Sequence, residues 1–275
     1  MKIHGSEHTI NKVFSDDFAC EIPHYQRPYS WTIEQTGELL DDLIGTLGED
    51  TAKSIEDVPP YFLGSIVLIK QERAPDAKVV DGQQRLTTLT ILLSVLRECI
   101  EDRVAAEDLT PFLYAKGNKM LGTSNRYRLL VRDRDREFFQ THVQESGGLT
   151  KLIKIDPKRL DSVSQLNLWG NSIFLLAKVK KLPEATRQRL AMFLLSQCVL
   201  VVVSSPDLDS AYRIFSILNN RGLDLSHSDI LKAEIIGKLP ADLSEDYSEK
   251  WEDEENALGV DAFKGPRCLE YSFSK

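Results

Sequence analysis

Two amides and an arginine follow an Asp-Gly step in the stretch VVDGQQRLTTLTILL, where an apolar pair leads into a leucine-rich helix. A glycine at position 82 permits a tight turn with a positive φ angle. The helix then begins with unpaired N–H groups and a positive dipole end, which together bind phosphate or another anion. Arg85 can hold two phosphate oxygens, and the amides of Gln83 and Gln84 add neutral donors. The carboxylate of Asp81 would repel phosphate and instead suits a Mg²⁺ ion beside it.

A simpler interpretation of the same stretch is structural. Asp81 can cap the helix, with Gln84 as its capping-box partner, and Arg85 is then an ordinary ion-paired surface residue. The stretch alone leaves both interpretations open.

A second candidate segment, IPHYQRPYSW, holds three large aromatic residues and another amide–guanidinium pair. Gln26 and Arg27 repeat the chemistry of Gln84 and Arg85, which favours a phosphate-binding role for Arg27. Aromatic rings can stack on bases or pack against neighbouring elements. The alternative is therefore that Tyr29 and Trp31 fasten this loop onto the first long helix.

A third segment, ILNNRGLDLSHSDILKAEI, brings polar side chains to a turn that ends a helix. Asn219, Asn220 and Arg221 lie at this turn, and Gly222 can end the helix in a left-handed conformation. A helix–loop–helix with capping asparagines and a DNA-reading helix-turn-helix both remain open. The second helix is too apolar and too poor in arginine to be a good recognition helix.

Composition narrows the function classes. The chain has 275 residues, 42% of them hydrophobic and 28% charged, with a net charge of −8. Proteins that coat DNA non-specifically are normally basic, so any contact with nucleic acid must be local. The stretch RYRLLVRDRDR is such a local basic patch, unless its arginines form ion pairs within the chain. The cysteines and histidines have no zinc spacing, and the cysteines are expected to be buried free thiols.

No apolar run is long enough to span a membrane, and no secretory signal begins the chain. We therefore expect a cytoplasmic protein without membrane contact.

Hydrophobic periodicity predicts an α+β fold, a small mixed sheet with a large, mainly helical portion. Strands are expected at 61–70 and 78–81, paired as a hairpin, and a buried strand at 199–205 is expected to join them. Thr32 and Gln35 form a predicted capping box. Helices are predicted at 9–14, 33–48, 83–101 and 227–238, and over QLNLWGNSIFLLAKVKKL and PEATRQRLAMFLLSQC, with a further helix that Gly222 ends.

Three parts follow from this layout. The first is a core of residues 1–101 with the strand 199–205, the second a helical insertion of residues 102–198, and the third a helical C-terminal part of residues 206–275. The last part ends without a convincing closing element, so we expect the chain to be a fragment or a single-domain relative of a longer protein.

The three segments together, with FLGSIVL ahead of VVDGQQRLTTL, resemble the N-terminal domain of the GmrSD-type, modification-dependent (type IV) restriction endonucleases. The resemblance covers roughly residues 10–240 and implies a ParB/sulfiredoxin-like fold. It implies Mg²⁺-dependent hydrolysis of a nucleoside triphosphate, GTP or UTP, coupled to the sensing of modified phage DNA. It also implies that DNA is cut by an HNH-like nuclease domain or subunit. No His-containing nuclease motif follows residue 240, so we expect no DNA cleavage from this chain alone.

Homo-oligomerisation stays open, as do two other functions: a non-catalytic ParB-like DNA-binding module and an inactive scaffold.

Carried over residue by residue, the resemblance assigns roles to each segment. The predicted catalytic residues are Asp81, Gln84 and Arg85, with Asp81 also a Mg²⁺ ligand; nucleotide binding falls to Tyr25, Gln26, Arg27, Gly82, Gln83, Arg85, Asn219 and Arg221, and DNA sensing to Tyr25, Gln26 and Tyr29.

Overall fold

The computed structural model describes residues 3–160 and 162–219 and, beyond these, residues 231–232, 235–236, 239–240, 243, 246–248, 250–251 and 253–254. The architecture is α+β, as predicted, with a six-stranded mixed sheet, a two-stranded sheet and a larger helical part. Within the described residues, no helix is long and apolar enough to cross a membrane.

In chain order the strands are β1 His4–Thr9, β2 Ala19–Glu21, β3 Tyr61–Lys70, β4 Asp76–Asp81, β5 Tyr114–Ala115, β6 Arg126–Tyr127, β7 Leu129–Leu130 and β8 Cys198–Ser205. The main sheet has the strand order β1-β8-β3-β4-β2-β7. Its centre is the parallel pair β3–β8, flanked by β4 antiparallel to β3 and by β1 antiparallel to β8. Beyond β4, strands β2 and β7 continue the sheet in parallel. Strands β5 and β6 form the small antiparallel sheet.

Helices cover this sheet and one another. In chain order they are α1 Ile10–Val13, α2 Ile33–Leu47, α3 Gln83–Cys99, α4 Arg103–Glu107, α5 Asp133–Phe139, α6 Gly148–Leu152, α7 Val163–Lys180, α8 Glu184–Ser196 and α9 Leu208–Asn219. A π-helical turn, Gln140–Gln144, follows α5 directly.

Helix α3 is the central helix of the core. Of the side chains from Gln83 to Cys99, all except those of Arg85 and Glu98 are buried. Such a helix packs on several sides at once, and α3 contacts α4, α6, α7 and α8. The start of α3 is therefore fixed in position by the core, which is what a binding site built on it requires.

Most predicted elements are confirmed. The predicted capping box is present, since Thr32 accepts from the N–H of Glu34 and Gln35 accepts from the N–H of Thr32, and α2 begins at Ile33. Strands β3 and β4 form the predicted hairpin, and β8 joins β3 as predicted. Strand β1 was missed, because its polar sequence HGSEHT lies at the sheet edge and is largely exposed.

Residues 102–198 contribute to the same core as residues 1–101. Strand β7 extends the main sheet beside β2, and α7 packs on α2 and α3. Contacts group residues 1–22 and 28–211 into one compact unit and residues 23–27 and 212–275 into a second. The helices after residue 101 contact α2, α3 and β8, and the predicted three-part division stays a prediction.

The second unit has a small core of its own. Tyr25 and Ile236 are buried in it, with Tyr212 and Trp251 packed against them. The Ser248 hydroxyl donates to the carbonyl of His24 at 3.1 Å. Of the predicted helix at 227–238, residues 231–232 and 235–236 are described and are helical.

The free-thiol prediction is confirmed for three cysteines. Cys20, Cys99 and Cys198 are buried and unpaired, and Cys268 lies outside the described residues. Burial raises the pKa of the Cys20 and Cys198 thiols to about 12, so both remain protonated at neutral pH.

Candidate functional site

The turn between β4 and α3 depends on a glycine. Gly82 is the N-cap of α3 and has a φ angle of 93°, the left-handed conformation that the sequence predicted. A Cβ atom at this position would lie 2.4 Å from Cγ2 of Ile66 on β3. The structural alternative, in which Asp81 caps the helix, is therefore wrong, because the cap residue is Gly82 and it carries no side chain.

Arg85 reaches from the first turn of α3 back to β3. Its Nη1 donates to the carbonyl of Ser65 at 3.0 Å. The guanidinium lies over Gly64, where a Cβ atom would be 3.1 Å from the guanidinium carbon. Gly64 has a φ angle of 100° and lies in a register shift of the β3–β8 pairing between Phe62 and Ser65. A glycine inside a strand pattern often marks such a close approach, and this signal was not used in the sequence prediction.

Two other side chains set the charge environment of Arg85. Burial lowers the pKa of the Arg85 guanidinium, and the nearby Asp81 carboxylate and Tyr61 phenol oppose that shift. The Tyr61 hydroxyl donates to Asp42 at 2.9 Å. Burial, followed by this hydrogen bond, raises the pKa of Tyr61 to about 12. Tyr61 is thus a neutral neighbour of a half-buried cation, and sequence reasoning did not single it out.

Gln84 uses both ends of its amide to hold the loop of residues 28–31. Its Oε1 accepts from the N–H groups of Ser30 at 2.8 Å and Trp31 at 3.3 Å. Its Nε2 donates to the carbonyl of Pro28 at 3.0 Å. The side chain is 6% exposed. The structure therefore gives Gln84 a positioning role, and its catalytic role stays a prediction.

Replacing Gln84 by leucine should destabilise the protein by about 1–3 kcal/mol, because partly buried backbone groups of the loop lose their partners. Gln84→Glu keeps the acceptor for the two N–H groups but buries a carboxylate beside the Pro28 carbonyl, so it should also destabilise the protein. Urea unfolding measures both, and amide hydrogen exchange at Ser30 and Trp31 should accelerate in Gln84→Leu alone. Unchanged exchange in that variant would show that the loop does not depend on Gln84.

Tyr29 is part of the core. Its ring is 7% exposed, and its hydroxyl lies 2.8 Å from Oγ1 of Thr88 and accepts from Nδ2 of Asn171 at 2.8 Å. Such a ring has no exposed face for a nucleobase, so the predicted contact of Tyr29 with DNA stays a prediction and would require the ring to leave the core. The alternative for this residue is the one observed, since Tyr29 fastens the 28–31 loop to α3 and α7.

The other residues of the second segment belong to the second unit. The Tyr25 ring is 7% exposed and packs with Ile236, so a stacking role would require it to leave this small core. The N–H of Gln26 donates to the carbonyl of Pro23 at 3.0 Å, and its side chain is half-buried. Arg27 is exposed. Asn219 ends α9, and its side chain is not among those that the structure describes. Asn220 and Arg221 lie outside the described residues.

Asp81 is the predicted ligand for a Mg²⁺ ion at this site. Asp81 ends β4, where it pairs in register with Val67. Among the described residues, no group of three or more His, Cys, Asp or Glu side chains could hold a metal. Mg²⁺ is commonly bound by one or two carboxylates together with substrate phosphates and water. Asp81 therefore fits only a site that the phosphates of a ligand complete.

The basic patch RYRLLVRDRDR is occupied mostly by ion pairs within the chain. Arg126 and Arg128 both bind Asp16, and Arg132 binds Asp135 at 3.2 Å. Arg136 binds Asp133 at 2.5 Å. The intrachain alternative is thus confirmed for these four arginines, which removes them as ready phosphate ligands.

Comparison with known proteins identifies the family. No curated protein matches the chain significantly. The family model described as the GmrSD restriction endonuclease, N-terminal domain, matches residues 10–236, which include the Asp81–Arg85 turn, the 28–31 loop and all of the main sheet except β1. Because this match covers most of the 275 residues, the chain belongs to the family of GmrSD restriction endonuclease N-terminal domains.

Proposed function

We propose that this chain is the nucleotide-hydrolysing, DNA-modification-sensing module of an anti-phage restriction system. It would hydrolyse a nucleoside triphosphate, GTP or UTP, with Mg²⁺, and couple hydrolysis to a nuclease domain or subunit that cuts modified phage DNA. Family membership supports the restriction-system context. The observation that carries the hydrolase proposal is the position of Arg85 at the start of α3.

Arg85 suits phosphate binding in three respects. It lies in the first turn of a 17-residue helix, where unpaired N–H groups and the helix dipole favour an anion. A single hydrogen bond to Ser65 fixes its direction, and in the described part of the chain no carboxylate forms a salt bridge with it. Partial burial strengthens its interaction with a phosphate oxygen. We therefore assign Arg85 to the phosphates and to the charge that develops on them during hydrolysis.

Asp81 is the second member of the proposed site. Its carboxylate acts electrostatically on Arg85, so cation and anion are held near one helix start. With phosphates present, Asp81 would hold Mg²⁺ or accept the proton of the attacking water. When bound, Mg²⁺ would neutralise charge on the phosphate oxygens.

Neighbouring residues of the same turn complete the proposal. Gly82 allows the phosphates to approach the backbone, and Gln83 would donate to them. Gln84 would act by holding the 28–31 loop against α3. The roles proposed for Tyr25, Gln26, Arg27, Asn219 and Arg221 in nucleotide binding, and for Tyr25 and Gln26 in DNA sensing, rest on the resemblance of their segments alone.

Phosphate release tests the proposal directly. Purified protein is incubated with GTP, UTP, ATP or CTP and Mg²⁺, with and without modified DNA, and with EDTA as the control for metal. We expect turnover with GTP or UTP that EDTA abolishes and modified DNA alters. If no nucleotide is hydrolysed and none raises the melting temperature, the hydrolase proposal fails. Binding to DNA that falls steeply with salt and ignores nucleotide would then favour a non-catalytic DNA-binding module.

A further inference from the structure

One segment of this acidic chain carries only positive charge. Between Asp108 and Asp133 there is no aspartate or glutamate, while the segment holds five cationic residues. Three of them, Arg126, Arg128 and Arg132, form ion pairs with aspartates elsewhere. The other two, Lys116 and Lys119, are exposed, and no salt bridge to them is formed within the part of the chain that the structure describes. Two cations are thus available to a ligand at one place.

These lysines precede an unusual apolar tip, which we define as Met120 and Leu121. Met120 is 94% exposed and Leu121 is 75% exposed, the highest values for large apolar side chains among the described residues. Isolated exposed apolar residues are common. Two adjacent apolar side chains, held almost wholly in solvent directly after Lys119, are a more specific arrangement.

The loop that carries the tip, residues 116–124, is held by its own hydrogen bonds. Asn118 Oδ1 accepts from the N–H groups of Met120 at 2.9 Å and Leu121 at 3.4 Å. The Asn118 N–H donates to Oγ1 of Thr123 at 2.8 Å, and the Thr123 N–H donates to the Asn118 carbonyl at 3.0 Å. Gly117 donates to Oδ1 of Asn125 at 3.0 Å.

Two glycines allow this loop to close tightly. A Cβ atom on Gly117 would lie 2.4 Å from the carbonyl oxygen of Thr123, and Gly122 has a φ angle of 67°. The loop therefore holds the tip in one defined conformation. Such pre-organisation lowers the conformational entropy that binding would cost.

We propose that the 116–124 loop is a DNA-docking element, in which Lys116 and Lys119 bind phosphates and the tip packs against the bases of a duplex groove. The charge of the segment is complementary to a polyanion. Methionine and leucine are among the apolar side chains that proteins wedge between base steps in the minor groove. The loop would thus supply the local contact that a chain of net charge −8 needs in order to bind DNA. This inference rests on the DNA partner in the proposed function and assigns it a surface.

Fluorescence anisotropy with a labelled DNA duplex over a series of NaCl concentrations tests the loop. Lys116→Ala/Lys119→Ala should weaken binding about tenfold and lower the slope of log affinity against log salt by about 1–2. Met120→Ala/Leu121→Ala should weaken binding by about tenfold with an unchanged slope. It should also abolish any fluorescence increase of 2-aminopurine placed in the duplex, which reports unstacked bases.

Matched controls come from the same compact unit. Met192→Ala/Ile153→Ala removes two large apolar side chains, 49% and 48% exposed, away from the loop. Lys151→Ala/Lys154→Ala removes two exposed lysines. Both controls should bind DNA like the wild type, and nucleotide hydrolysis without DNA should be unchanged in all four double variants.

The outcomes separate this inference from the proposed function. Wild-type protein that binds no DNA, modified or unmodified, would overturn both. DNA binding that survives the two loop variants would overturn the loop assignment and leave DNA sensing intact. If the loop variants instead abolish binding to anionic lipid vesicles, or change the sedimentation coefficient of the protein, the tip serves a membrane or a second copy, and the DNA assignment is wrong.

Discussion

Replacing Arg85 by alanine is expected to lower kcat/KM for nucleotide hydrolysis by about two to three orders of magnitude. That is the usual loss when one group that stabilises transition-state charge is removed from a site that partly excludes water. The guanidinium makes one hydrogen bond, to the carbonyl of Ser65. The folded state should therefore lose only about 1–2 kcal/mol of stability.

Two further variants make the result specific to the guanidinium. Arg85→Lys keeps a positive charge but cannot hold two oxygens at once, so it should retain intermediate activity. Gly64→Ala should push the guanidinium away, since the new Cβ would lie 3.1 Å from its carbon atom. Arg73→Ala removes an exposed arginine of the same compact unit and should leave the rate unchanged.

Phosphate release and thermal melting are measured on the same preparations. A folded Arg85→Ala protein with wild-type kcat/KM would exclude Arg85 from the phosphates and remove the observation on which the hydrolase proposal depends. An activity loss in Arg85→Ala that is matched by Arg73→Ala would point instead to general charge effects.

Replacing Gly82 by alanine is expected to lower the free energy of unfolding by about 2–5 kcal/mol. The residue has a φ angle of 93°, and an alanine in the left-handed region costs about 1–2 kcal/mol. The new methyl group would lie 2.4 Å from Cγ2 of Ile66 in β3. Forcing an extra methyl group into a packed core typically costs a further amount of about 1–3 kcal/mol.

Two other glycines separate backbone strain from the steric clash. Gly48 has a φ angle of 72° and no atom within 4 Å of an added Cβ, so Gly48→Ala measures the strain alone. Gly45 lies inside α2 with open space around it, and Gly45→Ala should stabilise the helix by about 0.5–1 kcal/mol.

Urea denaturation ranks the three variants. We expect the order Gly82→Ala, Gly48→Ala, wild type, Gly45→Ala, from least to most stable. Equal losses in the first two would show that β3 moves aside without cost, in which case the turn would not be held rigidly against Ile66.

Sequence periodicity was sufficient for the elements that carry the site. The runs YFLGSIVLIK and VVD gave the hairpin, and the leucines after Gln84 gave α3, because burial leaves a clear hydrophobic signal in both. Even the long-range partner of β3 was predictable, since VLVVVSS reads as a strand buried on both faces.

The contacts that each polar side chain makes could not be predicted from the hydrophobic pattern. Gln84 and Arg85 are adjacent and similar in polarity, yet one amide holds the 28–31 loop and the guanidinium reaches Ser65. Tyr29 lies in the core, whereas the sequence favoured it for contact with DNA. Such differences depend on which way each side chain leaves the turn, and this direction is fixed by tertiary packing rather than by residue type.

The parallel pairing of β3 with β8 has a consequence for synthesis of the chain. Strand β8 begins only at Cys198, and both β1 and β3 pair with it. A nascent chain that has emerged as far as α8 therefore exposes two strand edges without their partner. Contacts so distant in sequence form slowly, and unpaired edges promote association with other chains. Correct folding of this protein during synthesis should thus depend on β8. Chaperones would have to shield the β3–β4 hairpin until β8 has left the ribosome.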